Sequence, residues 1–163
     1  RLAARRLGYV PLHLGDMRDF TVDGKFAAVL CLFGMIGYMR DVADMTKAVT
    51  RMRSHLAPNG VLLLEPWLSP AQVTDGHVKA DRANRPGLFV QRMNYTRIVG
   101  NRSLLDIHYL IGTDSGVRHV QELRTLTLFT DAEYRIALKA AGFGDVVLEA
   151  YGPQGRGLYI AQV

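Results

Sequence analysis

Four short stretches of this sequence carry residue types that could grip a ligand or act on one. In Gly15-Asp16-Met17-Arg18-Asp19-Phe20 an acidic corner follows a glycine. At the carboxyl end of a strand such a carboxylate can accept from the exocyclic amine of adenine, while the next backbone N–H donates to a ring nitrogen. An Asp16 that simply ends a strand fits the spacing equally well. In Phe33-Gly34-Met35-Ile36-Gly37-Tyr38 two glycines flank Met35-Ile36, which lets backbone approach a ligand closely or makes an ordinary strand-to-helix turn. Glu65-Pro66-Trp67 sets a carboxylate beside an indole. That pair would draw in an ammonium by charge and by cation–π contact, unless Trp67 is packed and Glu65 solvated. Gly155-Arg156-Gly157 holds an arginine between glycines, a setting suited to a phosphate oxygen or to a plain exposed turn.

Other chemistries find no support. The five histidines are scattered, and His108, His119 and Glu122 match no metal-ligand spacing, so no metal is expected. GxSxG, HExxH, CxxC, P-loop and GxGxxG motifs are all missing from the sequence, which leaves hydrolase, metalloprotease and P-loop readings without positive evidence. The net charge of +5 includes the cluster Arg1, Arg5 and Arg6, but no run of five or six basic residues and no basic–aromatic interleaving. A solvated surface that attracts an anionic small molecule is expected, not a nucleic-acid partner. The single cysteine, Cys31, lies in an apolar run. It permits no disulfide within the chain, reads as a buried hydrophobe, and fits a reducing, cytoplasmic setting. The uncharged stretch Ala27 to Met39 is 13 residues long, the length of a core segment and not of a membrane span.

The elements that must position these residues follow from periodicity and punctuation. Arg1 to Leu7 reads as a helix end stopped by Gly8, and Tyr9 to Leu14 as a short strand. Phe26 to Phe33 is nearly all apolar, as for a strand covered on both faces. Asp41 is placed to cap a helix whose stripe is Met45, Ala48, Val49, Met52 and Leu56, ended by Pro58-Asn59-Gly60. Val61 to Leu64 is the next strand, and strand–helix–strand at this spacing implies a parallel pair with a right-handed crossover. Leu88 to Ile98, Ser103 to Ile111 and Arg118 to Phe129 then read as extended segments joined at Gly100-Asn101 and Asp114-Ser115-Gly116, an antiparallel meander within residues 87–129. Thr130-Asp131-Ala132-Glu133 fits a capping box on a helix running to Ala141 and stopped by Gly142. Asp145 to Ala150 and Leu158 to Val163 are the last strands.

At these residues the sequence resembles the class I S-adenosylmethionine-dependent methyltransferases, and within them the N,N-dimethyltransferases of nucleotide-linked amino sugars, the desosamine and mycaminose type. The matching text is Gly15 to Phe20, Leu32-Phe33 with Ile36-Gly37-Tyr38, His55-Leu56-Ala57-Pro58, Glu65-Pro66-Trp67, Val117-Arg118-His119, Thr127-Leu128-Phe129, Ala140-Ala141-Gly142, and Gly152-Pro153 with Gly155-Arg156-Gly157-Leu158. Each piece is weak alone, and together they run in family order along nearly the whole chain.

The resemblance implies an α/β fold: a Rossmann-like class I methyltransferase sheet, represented by its C-terminal part, with an inserted antiparallel β-meander that walls the substrate. It implies S-adenosyl-L-methionine as cofactor, with Asp16 and Met17 on adenine and backbone at Leu32 and Phe33 near the methionyl part. Tyr38, Glu65 and Trp67 would face the sugar, with Tyr38 and Glu65 in positioning roles at the reaction, and Arg156 would meet the diphosphate of a dTDP-linked amino sugar in natural-product biosynthesis. A homodimer is compatible with it. Family members carry an acidic-Gly-x-Gly cofactor loop upstream of this region, and the sequence has none. The chain is therefore expected to be part of a longer methyltransferase and to bind the cofactor weakly by itself. Leu68 stands where the family tends to carry a second tryptophan, and Gly34 where it tends to carry serine, so another small-molecule acceptor, or a non-catalytic remnant, stays open.

Overall fold

The structure is a computed structural model that describes Arg6, Gly8 and residues 10–163. Strand β1 (Phe26–Cys31) is followed by a short 3-10 helix (Met35–Tyr38), helix α1 (Val42–Ser54) and strand β2 (Leu56–Leu64). β1 and β2 pair in parallel, as the strand–helix–strand spacing requires. Asp41 caps α1 by accepting from the Asp44 N–H at 2.8 Å, and Met45, Ala48, Val49 and Met52 turn one buried face to the core.

The expected stop at Pro58-Asn59-Gly60 is corrected. The helix ends at Ser54, and the Phe26 N–H already donates to the His55 carbonyl at 2.8 Å, so sheet pairing begins before the proline. Pro58-Asn59-Gly60 is instead an irregularity inside β2, where the register jumps from Phe26↔Leu56 to Ala28↔Val61 and Asn59 takes φ 61.

Two further expectations are corrected. The Phe26 to Phe33 strand stops at Cys31, and it is not covered on both faces: Leu30 is 57% exposed. α1 and α2 (Asp131–Ala140) pack side by side, so among the described residues only one face of the sheet carries helices. Tyr9 itself is not described, and residues 11–14 of the expected first strand are irregular, with Leu14 fully exposed. An extended segment satisfies its backbone only beside another strand, and no described strand pairs with this one. The expected Arg1 to Leu7 helix lies, apart from Arg6, outside the described residues.

The antiparallel sheet has four strands where three are expected: β3 (Val78–Arg85), β4 (Leu88–Val99), β5 (Arg102–Thr113) and β6 (Gly116–Thr127), in that order. β3 is exposed along its whole length and four of its eight residues are charged, so it presents little apolar period to read. Lys and other charged residues of this kind protect an edge strand from stray pairing. The capping box on α2 is present as expected, Thr130 and Glu133 serving each other's ends. Strands β7 (Val146–Glu149) and β8 (Leu158–Gln162) complete a mixed sheet of order β1-β2-β8-β7. Its core packs Phe129, Ile36, Met45, Leu62, Leu64 and Leu138 between sheet and helices, while Trp67 and Tyr109 pack on a smaller cluster of Leu105, Ile107 and Leu126 on the antiparallel sheet. Among the described residues no helix is long and apolar enough to cross a membrane.

Candidate functional site

The end of β1 sets the geometry. Beyond Cys31 the chain turns through Leu32 to Phe33, which adopts φ 60 and is 62% exposed. A non-glycine residue in the left-handed region persists only where its surroundings hold it. The holder is Glu65, at the end of β2, whose Oε2 accepts from the Phe33 N–H at 2.6 Å. Glu65 is 0% exposed. Its Oε1 accepts from the Gln154 N–H at 2.8 Å and lies 3.4 Å from the Arg156 guanidinium. The structure therefore gives Glu65 a use other than the substrate-facing carboxylate expected of it: both oxygens are engaged inside the chain.

The network continues outward. Arg156 Nε donates to the Pro66 carbonyl at 3.1 Å, and the guanidinium lies 5.3 Å from the centre of the Trp67 ring. Trp67 Nε1 donates to Ser103 Oγ at 3.0 Å, and Ser103 in turn donates to the Leu126 carbonyl at 3.3 Å. Five segments are thus joined: the end of β1, the end of β2, the 152–157 connection, β5 and β6. Gly34 and Gly37 serve this packing. A Cβ on Gly34 would lie 2.8 Å from Trp67 Cε3, and one on Gly37 would lie 2.7 Å from Trp67 Cβ. Within the structure, the group that comes close to the glycine loop is the indole.

Asp16 and Met17 follow an irregular segment, not a strand. Asp16 Oδ1 accepts from the Arg18 backbone N–H and from Arg18 Nε, both at 2.9 Å, and Oδ2 accepts from Arg18 Nη2 at 2.7 Å. These charged hydrogen bonds hold the Asp16 carboxyl down at about 2. Arg18 also reaches the buried Asp44 at 3.1 Å, which Arg40 holds at 2.6 Å. The acidic corner is thereby fastened to the start of α1, while Met17 and Phe20 pack on the core.

A groove runs between Gly15-Asp16-Met17 and Met35, Tyr38 and Met39. Its thioether and aromatic walls suit the faces of an adenine. Asp16, with three of roughly four acceptor positions used, can still take one N–H. Next to the groove lies a cavity of about 550 Å³, within the range of small-molecule sites. Met35 and Tyr38 border both spaces, so groove and cavity meet at these two side chains. Phe33, Trp67 and Arg156 border the cavity as well; Glu65 sits behind them, and Leu32 borders neither space. Four cations line the cavity, Lys79, Arg92, Arg124 and Arg156, and no carboxylate does.

Sequence reasoning missed Lys79, Arg92, Arg124 and Ser103. The available signal was alternation: Lys79 and Asp81 on β3, and Glu122, Arg124 and Leu126 on β6, each two residues apart and so on one face of the sheet. Among the described residues no group of His, Cys, Asp and Glu could hold a metal ion. His108 Nδ1 and His119 Nε2 do meet, at 2.8 Å, but away from the cavity.

No family model matches the chain. It is 40% identical over 159 residues to the dTDP-3-amino-3,4,6-trideoxy-alpha-D-glucopyranose N,N-dimethyltransferase of Streptomyces venezuelae, covering 97% of this chain and 67% of that protein. Among solved structures, Streptomyces venezuelae DesVI superposes with a TM-score of 0.93 at 39% identity, over 98% of this chain and 67% of that one. S-adenosylmethionine-bound CalS10, an amino pentose methyltransferase from Micromonospora echinaspora, superposes with a TM-score of 0.87 at 39% identity, over 99% of this chain and 68% of that one. The chain thus spans about two thirds of the length of each of these proteins.

Proposed function

The chain belongs to the family of the S-adenosylmethionine-dependent N,N-dimethyltransferases of dTDP-linked amino sugars, and we propose that it takes part in methylating the amine of such a sugar in natural-product biosynthesis. The observation that carries this reading is the meeting of a groove walled by Met17, Met35, Met39 and Tyr38 with a cavity lined by cations and free of lining carboxylates. A nucleotide-linked sugar is an anion that must bring an amine to that junction.

S-adenosylmethionine supplies a methyl group on a sulfonium, ready for direct displacement by an amine lone pair. Asp16 and Met17 would hold the adenine end in the groove, and Phe33, which borders the cavity, would lie toward the methionyl end, with Leu32 behind it. Tyr38, at the junction, orients the acceptor amine. Trp67 and Arg156 wall the sugar. Glu65 acts through the Phe33 and Gln154 backbones and has no contact with the substrate. The amine need only lose its proton before attack, so the residues provide alignment and exclude water and need not include a strong base. The network from Glu65 to Ser103 supports this reading, because it fixes Phe33, Trp67, Gln154 and Arg156, which wall the cavity, relative to one another.

The cytoplasm, where nucleotide-linked sugars are made, is the proposed location. The proposed homodimer would use the sheet face turned from the cavity, where Met93, Tyr95, Leu104, Leu110 and Leu123 are exposed; light scattering tests it. The activity test is mass spectrometry of dTDP-linked 3- and 4-amino sugars, phenols and carboxylic acids incubated with the full-length protein and S-adenosylmethionine. Methyl addition to an amino sugar is expected. Methylation of a phenol or carboxylate with none of any amino sugar would overturn the proposal.

A further inference from the structure

The four cations of the cavity are not equivalent, and we infer that the substrate's diphosphate is held by Lys79 and Arg92 on the β3–β4 hairpin, not by Arg156. The inference rests on the reading of the substrate as a nucleotide-linked sugar.

Arg156 is already spent. Its guanidinium faces the buried Glu65 carboxylate at 3.4 Å, its Nε donates to the Pro66 carbonyl, and its face lies over Trp67. Its side chain is 15% exposed. A phosphate arriving here would compete with a carboxylate that no water reaches. Arg124 is matched as well, through Nε and Nη2 to Glu122 Oε1, each at 2.8 Å. Lys79 and Arg92 differ, because they share one carboxylate. Asp81 lies 2.9 Å from Arg92 and 3.7 Å from Lys79, so one positive charge on this face has no partner within the cluster. Asp81 is also half open to solvent, and an exposed pair of this kind contributes little and opens at little cost.

The register places the two cations together. Lys79 stands opposite Asn94 and Asp81 opposite Arg92, so all four share the cavity face of the sheet. Asn94 and Thr96 continue that face along β4 toward Leu105, which sits beside Trp67 in the smaller core cluster. From Thr96 to Arg92 is four residues, roughly 13 Å of strand, enough to separate a phosphate pole from the amine end at Tyr38. A guanidinium fork takes two phosphate oxygens side by side, and an ammonium adds a point charge.

Calorimetric titration of the full-length protein tests this with two probes, thymidine diphosphate and thymidine. Lys79→Met/Arg92→Met should weaken thymidine diphosphate by about tenfold or more while thymidine binding stays within about twofold. Asp81→Asn, which removes the shared carboxylate and keeps both cations, should tighten thymidine diphosphate. This second variant keeps the test decisive if the double variant does not fold. Arg156→Gln should alter thymidine diphosphate affinity less than about threefold. The inference is overturned if Arg156→Gln carries the loss and neither hairpin variant changes the affinity; the nucleotide-sugar reading then stands. If the wild type binds thymidine diphosphate no better than thymidine, the nucleotide-sugar reading fails, and the inference with it.

Discussion

Replacing Glu65 by glutamine changes one oxygen to an amide nitrogen and should cost far more than such a change usually does. The carboxylate takes two backbone N–H groups, from Phe33 at 2.6 Å and Gln154 at 2.8 Å, and faces Arg156 at 3.4 Å. An amide offers one acceptor oxygen, so one of the two N–H groups would meet an NH2 donor. A buried donor left without an acceptor costs about 1–3 kcal/mol. Arg156, largely buried, would lose its counter-charge, and breaking one side of a buried ion pair costs about 3–5 kcal/mol. The two effects overlap, so we take about 3–5 kcal/mol for the variant. At roughly 2–4 °C per kcal/mol for a domain of this size, unfolding should begin about 6–20 °C lower. Circular dichroism melting of the full-length protein reads this directly. The double variant Glu65→Gln/Arg156→Gln adds the sharper test, because removing both charges should cost less than the sum of the single changes. A Glu65→Gln melting point within about 2 °C of wild type, or strict additivity in the double variant, would refute the account of Glu65 as the clasp of the site.

Gly37→Ala should destabilise by about 1–3 kcal/mol through overpacking, since the new Cβ would lie 2.7 Å from Trp67 Cβ and 3.2 Å from Leu126 Cδ2; thermal melting should register the loss, and fluorescence of Trp67, the single tryptophan of this chain, should shift as the indole moves. The Asp16 carboxyl is depressed to about 2 by Arg18, so its contribution to the corner is complete above the ordinary carboxylate range and is lost as pH falls from about 4 through about 2. A carbon-13 NMR titration of Asp16 should show that low midpoint, and an ordinary midpoint near 4 would show that the Arg18 clasp does not form in solution.

What the sequence disclosed of the fold is what local pattern encodes. Asp41 and Thr130 sit one residue ahead of their helices with the acceptors that caps need, and both cap as read. The stripe from Met45 to Met52 is buried because a helix turns those spacings to one side. The losses fall where neighbours decide. Leu30 is as apolar as a buried strand residue, but its exposure depends on what lies against that face of the sheet, and no residue of β1 encodes that. β3 escaped for the opposite reason: pairing with β4 makes it a strand, and its own composition reads as a solvated loop. Residues 11–14 of the expected first strand are irregular on the same ground, since strand character there needs a partner that the described residues do not provide.

The candidate site was legible as a set of residues and illegible as a wiring diagram. Glu65, Trp67 and Arg156 could be singled out because a carboxylate beside an indole and a guanidinium between glycines are groups able to grip a ligand, and the structure brings all three together. Their spacing says nothing of direction. Glu65 at the end of β2 could have faced solvent, substrate or backbone, and only the arrival of Phe33 from β1 and Gln154 from a connection 89 residues away selects backbone. That selection has a consequence for specificity. Once Glu65 neutralises Arg156 from behind, this arginine of the cavity wall has little charge left to offer a ligand. The cavity's attraction for an anion then passes to the hairpin cations that sequence reading overlooked, because β3 was not assigned as a strand. An error about one edge strand and an error about where the charge of the site resides are thus the same error: without the β3–β4 pairing, Lys79 and Arg92 have no common face from which to act.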